Sequence, residues 1–437
     1  MARRSTHGPT AIRRRRIALL AIALAALVAG IALGASHGGG GQGEPDPRAG
    51  GAGEGAAGTT APGGAARGAI APRAGGAAAG DGAGTSTTTP GGAAAGANAT
   101  PAEAAAARVA RMSLERQVGE LLVISFSGTT PPQYVLDALR GGRAAGVILF
   151  GANAPSADSV RALSARVQRA AGGDAIVSLD QEGGEIRTLK FAPPQQGQAS
   201  QPTPAAAAAS ARSAAAALRD VGVNVTLGPV ADVATVPGSF MASRAYPGDP
   251  ATVARSVAAA VAAYRRAGIE TTAKHFPGVG GATQNTDFGS AAIDRTRAQL
   301  VAEELLPFRA ATSAGAGIVM VGHARFPQVD GARIASQSRA VVDGLLRDEL
   351  GFGGVVMTDS LEARAVDAAT PGAADVGAAA VRSLAAGCDL LLLTGAGSFP
   401  LAREALIAAA KADPAIRARV AESAARVAVL RARLATR

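Results

Sequence analysis

Five successive apolar runs of this 437-residue chain end in side chains that can transfer protons or bind hydroxyl groups. Carboxylates dominate the set, and paired carboxylates beside polar groups suit the cleavage of glycosidic bonds, in which one carboxylate attacks while another group protonates the leaving oxygen. A single strand-end Asp is as often a helix cap or a turn residue, but five such ends in a row favour one shared site. The residues are Asp180, Asp232, Lys274 with His275, His323 and Asp359.

Other chemistries find less support in the sequence. Glu182 and Asp287 add two further carboxylates, whereas no nucleophilic Ser or Cys stands out and no phosphate-binding glycine loop of the P-loop type occurs. His and Asp are also metal ligands, so metal-assisted hydrolysis is an alternative. The H-x-H and H-E-x-x-H spacings are missing, however, and we expect neither a metal nor another cofactor.

The elements that must position these residues alternate regularly. Short runs rich in Val, Ile and Leu alternate with Ala- and Arg-rich segments of helical period, which predicts an α/β fold with parallel strands covered by helices. Eight units match a (β/α)8 TIM barrel, whose active site lies at the carboxyl ends of the strands. A doubly wound sheet is the alternative, but its glycine fingerprint is missing. Predicted strands are 121–126, 146–151, 175–180, 223–232, 271–276, 317–323, 354–359 and 389–395, and predicted helices include 158–171, 203–221, 250–267, 295–313 and 338–350.

Three segments precede the predicted barrel. Residues 1–16 end in a basic block, and the apolar, uncharged residues 17–36 are long enough to span a bilayer. The basic flank favours residues 1–16 in the cytoplasm and the rest outside the plasma membrane, through a transmembrane signal anchor or a signal peptide cut near Ala35. Residues 37–105, dominated by Gly, Ala, Ser, Thr and Pro, predict a disordered linker, which leaves 106–437 for the barrel.

The net charge of +10 does not indicate a nucleic-acid partner. Six Arg lie in the first 16 residues, and the remaining charge is spread without a dense basic run. Aromatic residues make up only 3% of the chain, so neither a phosphate track nor a stacking surface for bases is predicted. The single cysteine, Cys388, excludes a disulfide within the chain. We expect a monomer.

Seven motifs occur in an order that resembles the family 3 glycoside hydrolases, specifically the single-barrel β-N-acetylglucosaminidases. "KHFPG" with a downstream "TDSL" is the most specific combination, and the motifs together cover essentially all of residues 106–437. They are "MSLERQVGELL" (112–122), "LDQEGG" (179–184), "NVTLGPVADV" (224–233), "SRAYPGDP" (243–250), "KHFPGVG" (274–280), "GH" (322–323) and "LGFGGVVMTDSLEARAV" (350–366).

The resemblance implies roles for the matching residues. Asp359 would be the nucleophile that forms a covalent glycosyl-enzyme, and Asp180 would accept hydrogen bonds from sugar hydroxyls. Lys274 and His275 would hold hydroxyls through charge-assisted bonds, while Arg244 would contact the sugar or its N-acetyl group.

The sequence departs from the family in the loop that carries the acid/base group. The family has an Asp-Ser-His triplet there, whose His protonates the leaving group, whereas this chain has Asn285, Thr286 and Asp287. Asp287 could be the acid itself, because a second negative group nearby raises the pKa of a carboxyl. The alternative is a loop without an acid, and a protein with poor turnover or none.

A second departure follows "LDQEGG". The family has an Arg four residues after the second Gly, where this chain has Thr188, and Glu185 replaces another common Arg. Arg187, one position early, is the candidate for the missing sugar contact. His323 would either line the pocket or have a structural role.

The resemblance therefore implies an exo-acting retaining β-glycosidase, a β-N-acetylglucosaminidase on cell-wall glycans outside the plasma membrane. Two alternatives remain open at this stage. One is a catalytically impaired barrel that binds wall glycan or a partner protein, and the other is an exo-glycosidase of the β-glucosidase type.

Overall fold

A computed structural model describes residues 99–369 and 375–436 of the chain. The predicted basic segment 1–16, the membrane segment 17–36 and the linker up to residue 98 lie outside the described residues. Within the described ranges, no helix is both long and apolar enough to cross a membrane.

The described residues form twelve strands, eight of which build one parallel sheet. The barrel strands are β1 (Leu122–Ile124), β2 (Gly146–Leu149), β3 (Ile176–Leu179), β6 (Val225–Thr226), β7 (Glu270–Phe276), β8 (Ile318–Val321), β11 (Val355–Thr358) and β12 (Leu391–Leu393). Two short hairpins, β4 (Gln181–Gly183) with β5 (Ile186–Arg187) and β9 (Arg325–Phe326) with β10 (Asp330–Ile334), lie in the segments after β3 and β8.

The eight-stranded sheet curls into a nearly closed barrel. Its order is β11-β8-β7-β6-β3-β2-β1-β12. The edge strands β11 and β12 meet through a parallel bridge between Met357 and Leu390, where the backbone N–H of Thr358 donates to the Leu390 carbonyl at 2.9 Å. The sheet therefore agrees with the predicted TIM-like barrel and excludes the doubly wound alternative, whose sheet stays open.

Helices surround the barrel, and many begin at residues that favour helix starts. Thr203 and Asp249 accept hydrogen bonds from the backbone of the first turn, and Pro204 and Pro250 follow them. The helices are α1 (Pro101–Ala110), α2 (Leu114–Gly119), α3 (Gln133–Arg140), α4 (Ala157–Ala171), α5 (Pro204–Asp220), α6 (Pro250–Arg266), α7 (Arg297–Ala302), α8 (Leu305–Ser313), α9 (Arg339–Val341), α10 (Arg364–Ala369), α11 (Val376–Ala386), α12 (Ser398–Ala412) and α13 (Pro414–Ala435), and a π-helix, Val342–Glu349, continues α9.

Alternate residues of the strands belong to two different cores. In β8, Ile318 and Met320 lie in the cluster that fills the barrel, whereas Val319 and Val321 lie in the larger cluster shared with the helices. Both faces of each strand are thus buried, which is why the strands are continuous apolar runs in the sequence rather than alternating ones.

Several predicted boundaries differ from the structure; for example, the predicted strand 223–232 is reduced to Val225–Thr226. The predicted helix 295–313 is split into α7 and α8, because Pro307 has no N–H to donate to the carbonyl of Glu303. The predicted linker, 37–105, includes residues that are helical in α1, which begins after a capping box at Thr100 and buries Ala105 and Val109.

A buried carboxylate, Asp389, anchors the amino end of β12 to two helices at the barrel end opposite the strand-end residues. It is fully buried, and its charge is balanced by guanidinium groups of the π-helix and α13. Its donors are Arg347 (2.6 Å), Arg419 (3.0 Å), Arg426 (3.2 Å), the Ser423 hydroxyl (2.9 Å) and the backbone N–H of Val356 (2.9 Å).

Asp389→Ala should lower the free energy of unfolding by about 3–5 kcal/mol, because it leaves the buried Arg347 without its counter-charge and leaves Arg419 and Arg426 to share Glu422. Urea denaturation of the full-length chain measures the loss. Asp137→Ala is the matched control, since its partner Arg140 is mostly exposed, and it should cost less than about 1 kcal/mol. Similar losses in the two variants would contradict the assignment of Asp389 as an anchor.

Candidate active site

Lys274 lies at the centre of four charged side chains at the carboxyl end of the barrel. Its Nζ is 2.5 Å from Oδ1 of Asp180, which follows β3, and 2.6 Å from Oε1 of Glu182 in β4. Glu182 also accepts two hydrogen bonds from the Arg244 guanidinium, one from Nη2 at 2.7 Å and one from Nε at 2.9 Å. The cluster is electrically neutral, which is what allows Lys274 to be only 3% exposed.

The buried charges of this cluster hold each other in the ionised state. Burial alone would raise the pKa of Glu182, but Lys274 and Arg244 outweigh it and bring that pKa to about 2. Burial opposes the charge of Lys274 too, yet Asp180 and Glu182 raise its pKa above the ordinary value. Two cationic side chains with fixed positions are therefore available to bind oxygen atoms of a ligand.

His275 is oriented by Asp232, a fully buried residue after β6. Oδ2 of Asp232 is 2.7 Å from Nδ1 of His275, and the same carboxylate accepts the backbone N–H groups of His275 (3.2 Å) and Val279 (2.7 Å). The peptide between Lys274 and His275 is cis. With Nδ1 bonded to Asp232, the other ring nitrogen, Nε2, is the one that a ligand can reach.

Asp359 follows β11 and accepts the backbone N–H of Ser360 at 2.8 Å. Burial opposes its ionisation, but the His275 and His323 side chains and the Ser360 N–H outweigh burial and lower the pKa of Asp359 below the ordinary value. Asp359 therefore stays an anion although protein atoms partly cover it, as a nucleophile must.

His323 contacts Ser360, the residue next to Asp359. It is fully buried, with Nε2 donating to the Ser360 carbonyl at 2.8 Å and Nδ1 2.8 Å from the Ser336 hydroxyl. Both ring nitrogens are occupied by protein groups, so the predicted contact of His323 with a substrate is not made. The structural alternative is the one that the geometry favours: His323 fixes the residue next to Asp359.

Asp287 lies in a turn that is fixed to the segment after Asp359. The backbone N–H of Arg364 donates to the Asp287 carbonyl at 3.2 Å, and that of Ala365 to the Thr286 carbonyl at 3.1 Å. The residue as a whole is exposed, although nearby protein atoms partly desolvate its carboxyl group. Burial and then the charge of Asp359 raise the pKa of Asp287. The turn with Asp287 thus lies against the segment that follows Asp359, and the pKa values of the two carboxyl groups are shifted in opposite directions.

Arg187 is the predicted substitute for the missing family Arg, and its contact with a sugar stays a prediction. It lies in β5 and donates to the side chain of Gln195, and its described contacts include none with Asp180 or Glu182. The sequence places Glu182 among the candidate carboxylates but indicates no role for it. Its position two residues after Asp180 was the available signal, but the hairpin that turns it towards Lys274 has no periodic pattern.

Glu182 and Arg244 also border a cavity of about 180 Å³, together with Gly183, Gly184 and Glu185. A larger cavity of about 620 Å³ lies between α1 and α13, beside the amino end of β11. It contains none of the strand-end residues and lies at the wrong end of the barrel for their chemistry.

A barrel with converging carboxylates and cations at its carboxyl end is the architecture of many hydrolases, and sequence comparison identifies which kind this one is. The glycosyl hydrolase family 3 N-terminal domain matches residues 113–430, and the chain belongs to that family. A β-hexosaminidase of Xanthomonas oryzae pv. oryzae (strain KACC10331 / KXO85) is 35% identical over 283 residues, 62% of this chain and 83% of that relative. A β-hexosaminidase of Stenotrophomonas maltophilia (strain R551-3) is 34% identical over 283 residues, with the same coverage.

Solved structures agree with this assignment. The family 3 β-N-acetylglucosaminidase from Paenibacillus sp. str. FPU-7 superposes with a TM-score of 0.69 and 31% identity over 74% of this chain. The chain spans 63% of that longer chain. A β-N-acetylhexosaminidase from Beutenbergia cavernae DSM 12333 gives a TM-score of 0.66 and 32% identity, covering 74% of this chain and 99% of that one. The protein is a glycoside hydrolase, as the motifs predicted.

Glu182→Gln should remove a pH-dependent part of the stability. The pKa of Glu182 is about 2 in the folded protein against an ordinary 4.5, so its charge stabilises the fold above the ordinary pKa, and this contribution is lost as the pH falls towards 2. The difference corresponds to roughly 3 kcal/mol. In urea titrations between about pH 5 and about pH 3, unfolding free energy should fall more steeply for the native chain than for the variant.

Glu185→Gln is the matched control, because Glu185 is an exposed neighbour of the same cavity. It should keep the native slope. Equal slopes for the native chain and Glu182→Gln would contradict the ionised, paired state of Glu182.

Proposed function

We propose that this chain is an exo-acting retaining β-N-acetylhexosaminidase that removes N-acetylglucosamine from cell-wall glycans through a covalent glycosyl-enzyme. The observation that carries the proposal is the pair of neighbouring carboxyl groups, with the pKa of Asp359 lowered and that of Asp287 raised. A carboxylate whose pKa is lowered and a carboxyl whose pKa is raised suit the roles of nucleophile and general acid in a retaining glycosidase. The β-hexosaminidases among its relatives support an N-acetylhexosamine as the sugar that is removed.

In the first step, Asp359 attacks the anomeric carbon. A bond forms between its carboxylate oxygen and that carbon, the glycosidic carbon–oxygen bond breaks, and Asp287 transfers its proton to the departing oxygen. In the second step, Asp287 takes a proton from a water molecule, whose oxygen attacks the anomeric carbon and releases Asp359. The sugar leaves with the configuration it had in the substrate.

The charge of Asp359 would determine whether Asp287 acts as the acid or as the base. While Asp359 is an anion, its field helps to keep Asp287 protonated. Formation of the glycosyl ester removes that negative charge, so the pKa of Asp287 falls and the group becomes the base that the second step needs. One interaction thus serves both halves of the cycle.

The neutral charge cluster would bind the sugar. Asp180, Lys274 and Arg244 present fixed donors and acceptors for hydroxyl and acetamido groups, and His275 adds its Nε2. Glu182 contacts Lys274 and Arg244 rather than solvent, so its part is to hold these two donors in position.

Hydrolysis of aryl β-N-acetylglucosaminides with leaving groups of graded pKa tests the catalytic pair. Asp359→Ala should reduce kcat at least about 10⁴-fold for every leaving group, since no covalent intermediate can form. Asp287→Ala should lose about 10²- to 10⁴-fold with poor leaving groups and far less with activated ones, which depart without protonation.

Asp137→Ala, remote from the site, is the control and should keep native rates. Equal loss across the series for Asp287→Ala would remove Asp287 as the acid. Substantial turnover by Asp359→Ala would remove Asp359 as the nucleophile.

The Asp at position 287 also favours a second candidate, a barrel that binds wall glycan with little or no turnover, because the family's His is replaced there. The same panel, extended to glucosides, separates the candidates. Binding of wall glycan without hydrolysis of any member would support the non-catalytic barrel, and preferential hydrolysis of the glucoside would support a β-glucosidase.

We further propose that the barrel lies outside the plasma membrane, on the basis of the basic block Arg13 to Arg16 before residues 17–36. In a bacterial host expressing the full-length chain, protease added to spheroplasts should digest the barrel. Replacing both Leu24 and Leu27 by Arg should abolish this sensitivity, because charges in the apolar segment oppose insertion. A native chain that resists the added protease as a cytoplasmic marker does would contradict the location.

A further inference from the structure

Five large apolar side chains are exposed among the described residues, and each lies in a segment that follows a barrel strand. Four of the five are aromatic, in a chain that has only ten Phe, three Tyr and no Trp. The five are Tyr134, Phe150, Phe191, Phe288 and Leu401.

Phe288 is the most exposed of them, at 70%, and it directly follows Asp287. Its backbone N–H donates to the Asn285 carbonyl at 3.1 Å, within the turn that Arg364 and Ala365 fix to the segment after Asp359. Phe288 is therefore next in sequence to Asp287 on a turn whose backbone is anchored at several points, rather than on a free loop.

We propose that Phe288 is the stacking platform for the sugar on the leaving side of the scissile bond, so that the enzyme prefers β-linked oligosaccharides to glycosides with small leaving groups. This inference rests on the proposed function. An acid must lie within hydrogen-bond reach of the oxygen that it protonates, so the ring beyond that oxygen lies next to the residue that follows Asp287.

The chemistry of the two sides of the scissile bond is complementary. The Asp180, Lys274, Glu182 and Arg244 cluster offers charged donors and acceptors that suit a sugar held by its hydroxyls. Phe288 offers an aromatic face, which contacts the axial C–H groups of a pyranose by dispersion and tolerates several sugars. Binding energy on the leaving side raises the rate when it is retained in the transition state.

Two substrates isolate this contact in the full-length protein. One is the β-1,4-linked disaccharide of N-acetylglucosamine, whose leaving group is a sugar, and the other is the β-fluoride of N-acetylglucosamine, whose leaving group has no ring. Phe288→Ala should lower kcat/KM for the disaccharide roughly tenfold and change that for the fluoride by less than about twofold. Phe288→Tyr should keep the native preference, whereas Phe288→Leu should resemble Phe288→Ala.

Tyr134→Ala is the matched control, since Tyr134 is 53% exposed but belongs to α3 rather than to the turn with Asp287. It should change neither rate. If Phe288→Ala hydrolyses the disaccharide at the native rate, or loses equal activity on both substrates, Phe288 is not the stacking platform. Hydrolysis of both substrates by the native protein would still support the proposed function. A native protein that hydrolyses neither substrate would refute the proposed function itself.

Discussion

The buried ammonium group of Lys274 is the constraint on which the rest of the site depends. An ammonium this far from water requires opposite charge at hydrogen-bond distance, and Asp180 and Glu182 provide it from two successive elements of the chain. Their two negative charges in turn require a second cation, which Arg244 supplies by a two-point contact with Glu182. The strand β7, the hairpin after β3 and the segment around residue 244 therefore have to meet at one place, and this side of the site is assembled by charge balance.

Asp359 and Asp287 differ from this cluster, because the protein stabilises the charge of one carboxyl group and not that of the other. Asp359 has the protein's donors and the two histidines to stabilise its charge, whereas Asp287 has burial and a neighbouring anion against it. A carboxyl group at position 287, in place of the imidazole that the family resemblance implies, also changes the charge of the site. A protonated His gives up a positive charge with its proton. In the proposed mechanism, a protonated Asp287 would start neutral and end as an anion beside a glycosylated Asp359, whose ester would carry no charge to oppose it.

The sequence allowed prediction of those features that depend on pattern. Parallel strands buried on both faces leave continuous apolar runs, so the barrel could be predicted, and the strand-end positions of Asp180, Lys274 and Asp359 followed from it. Features that depend on side-chain partners could not be predicted. Nothing in the spacing indicates that both nitrogens of His323 are occupied by Ser336 and Ser360, or that Arg187 faces Gln195. The role of Glu182 depends on a hairpin inside a connecting segment, where no periodicity exists to read.

The fold also explains how the acid/base position can change without loss of the barrel. The turn that carries Asp287 is held by backbone groups of Asn285, Arg364 and Ala365, so its course does not depend on the side chain at position 287. The charged anchor around Asp389 lies at the other end of the strands, where it joins β12 to the π-helix and α13. Because the Asp389 anchor and the turn that carries Asp287 lie at opposite ends of the barrel strands, a different side chain at position 287 leaves the elements that position Asp359 unchanged.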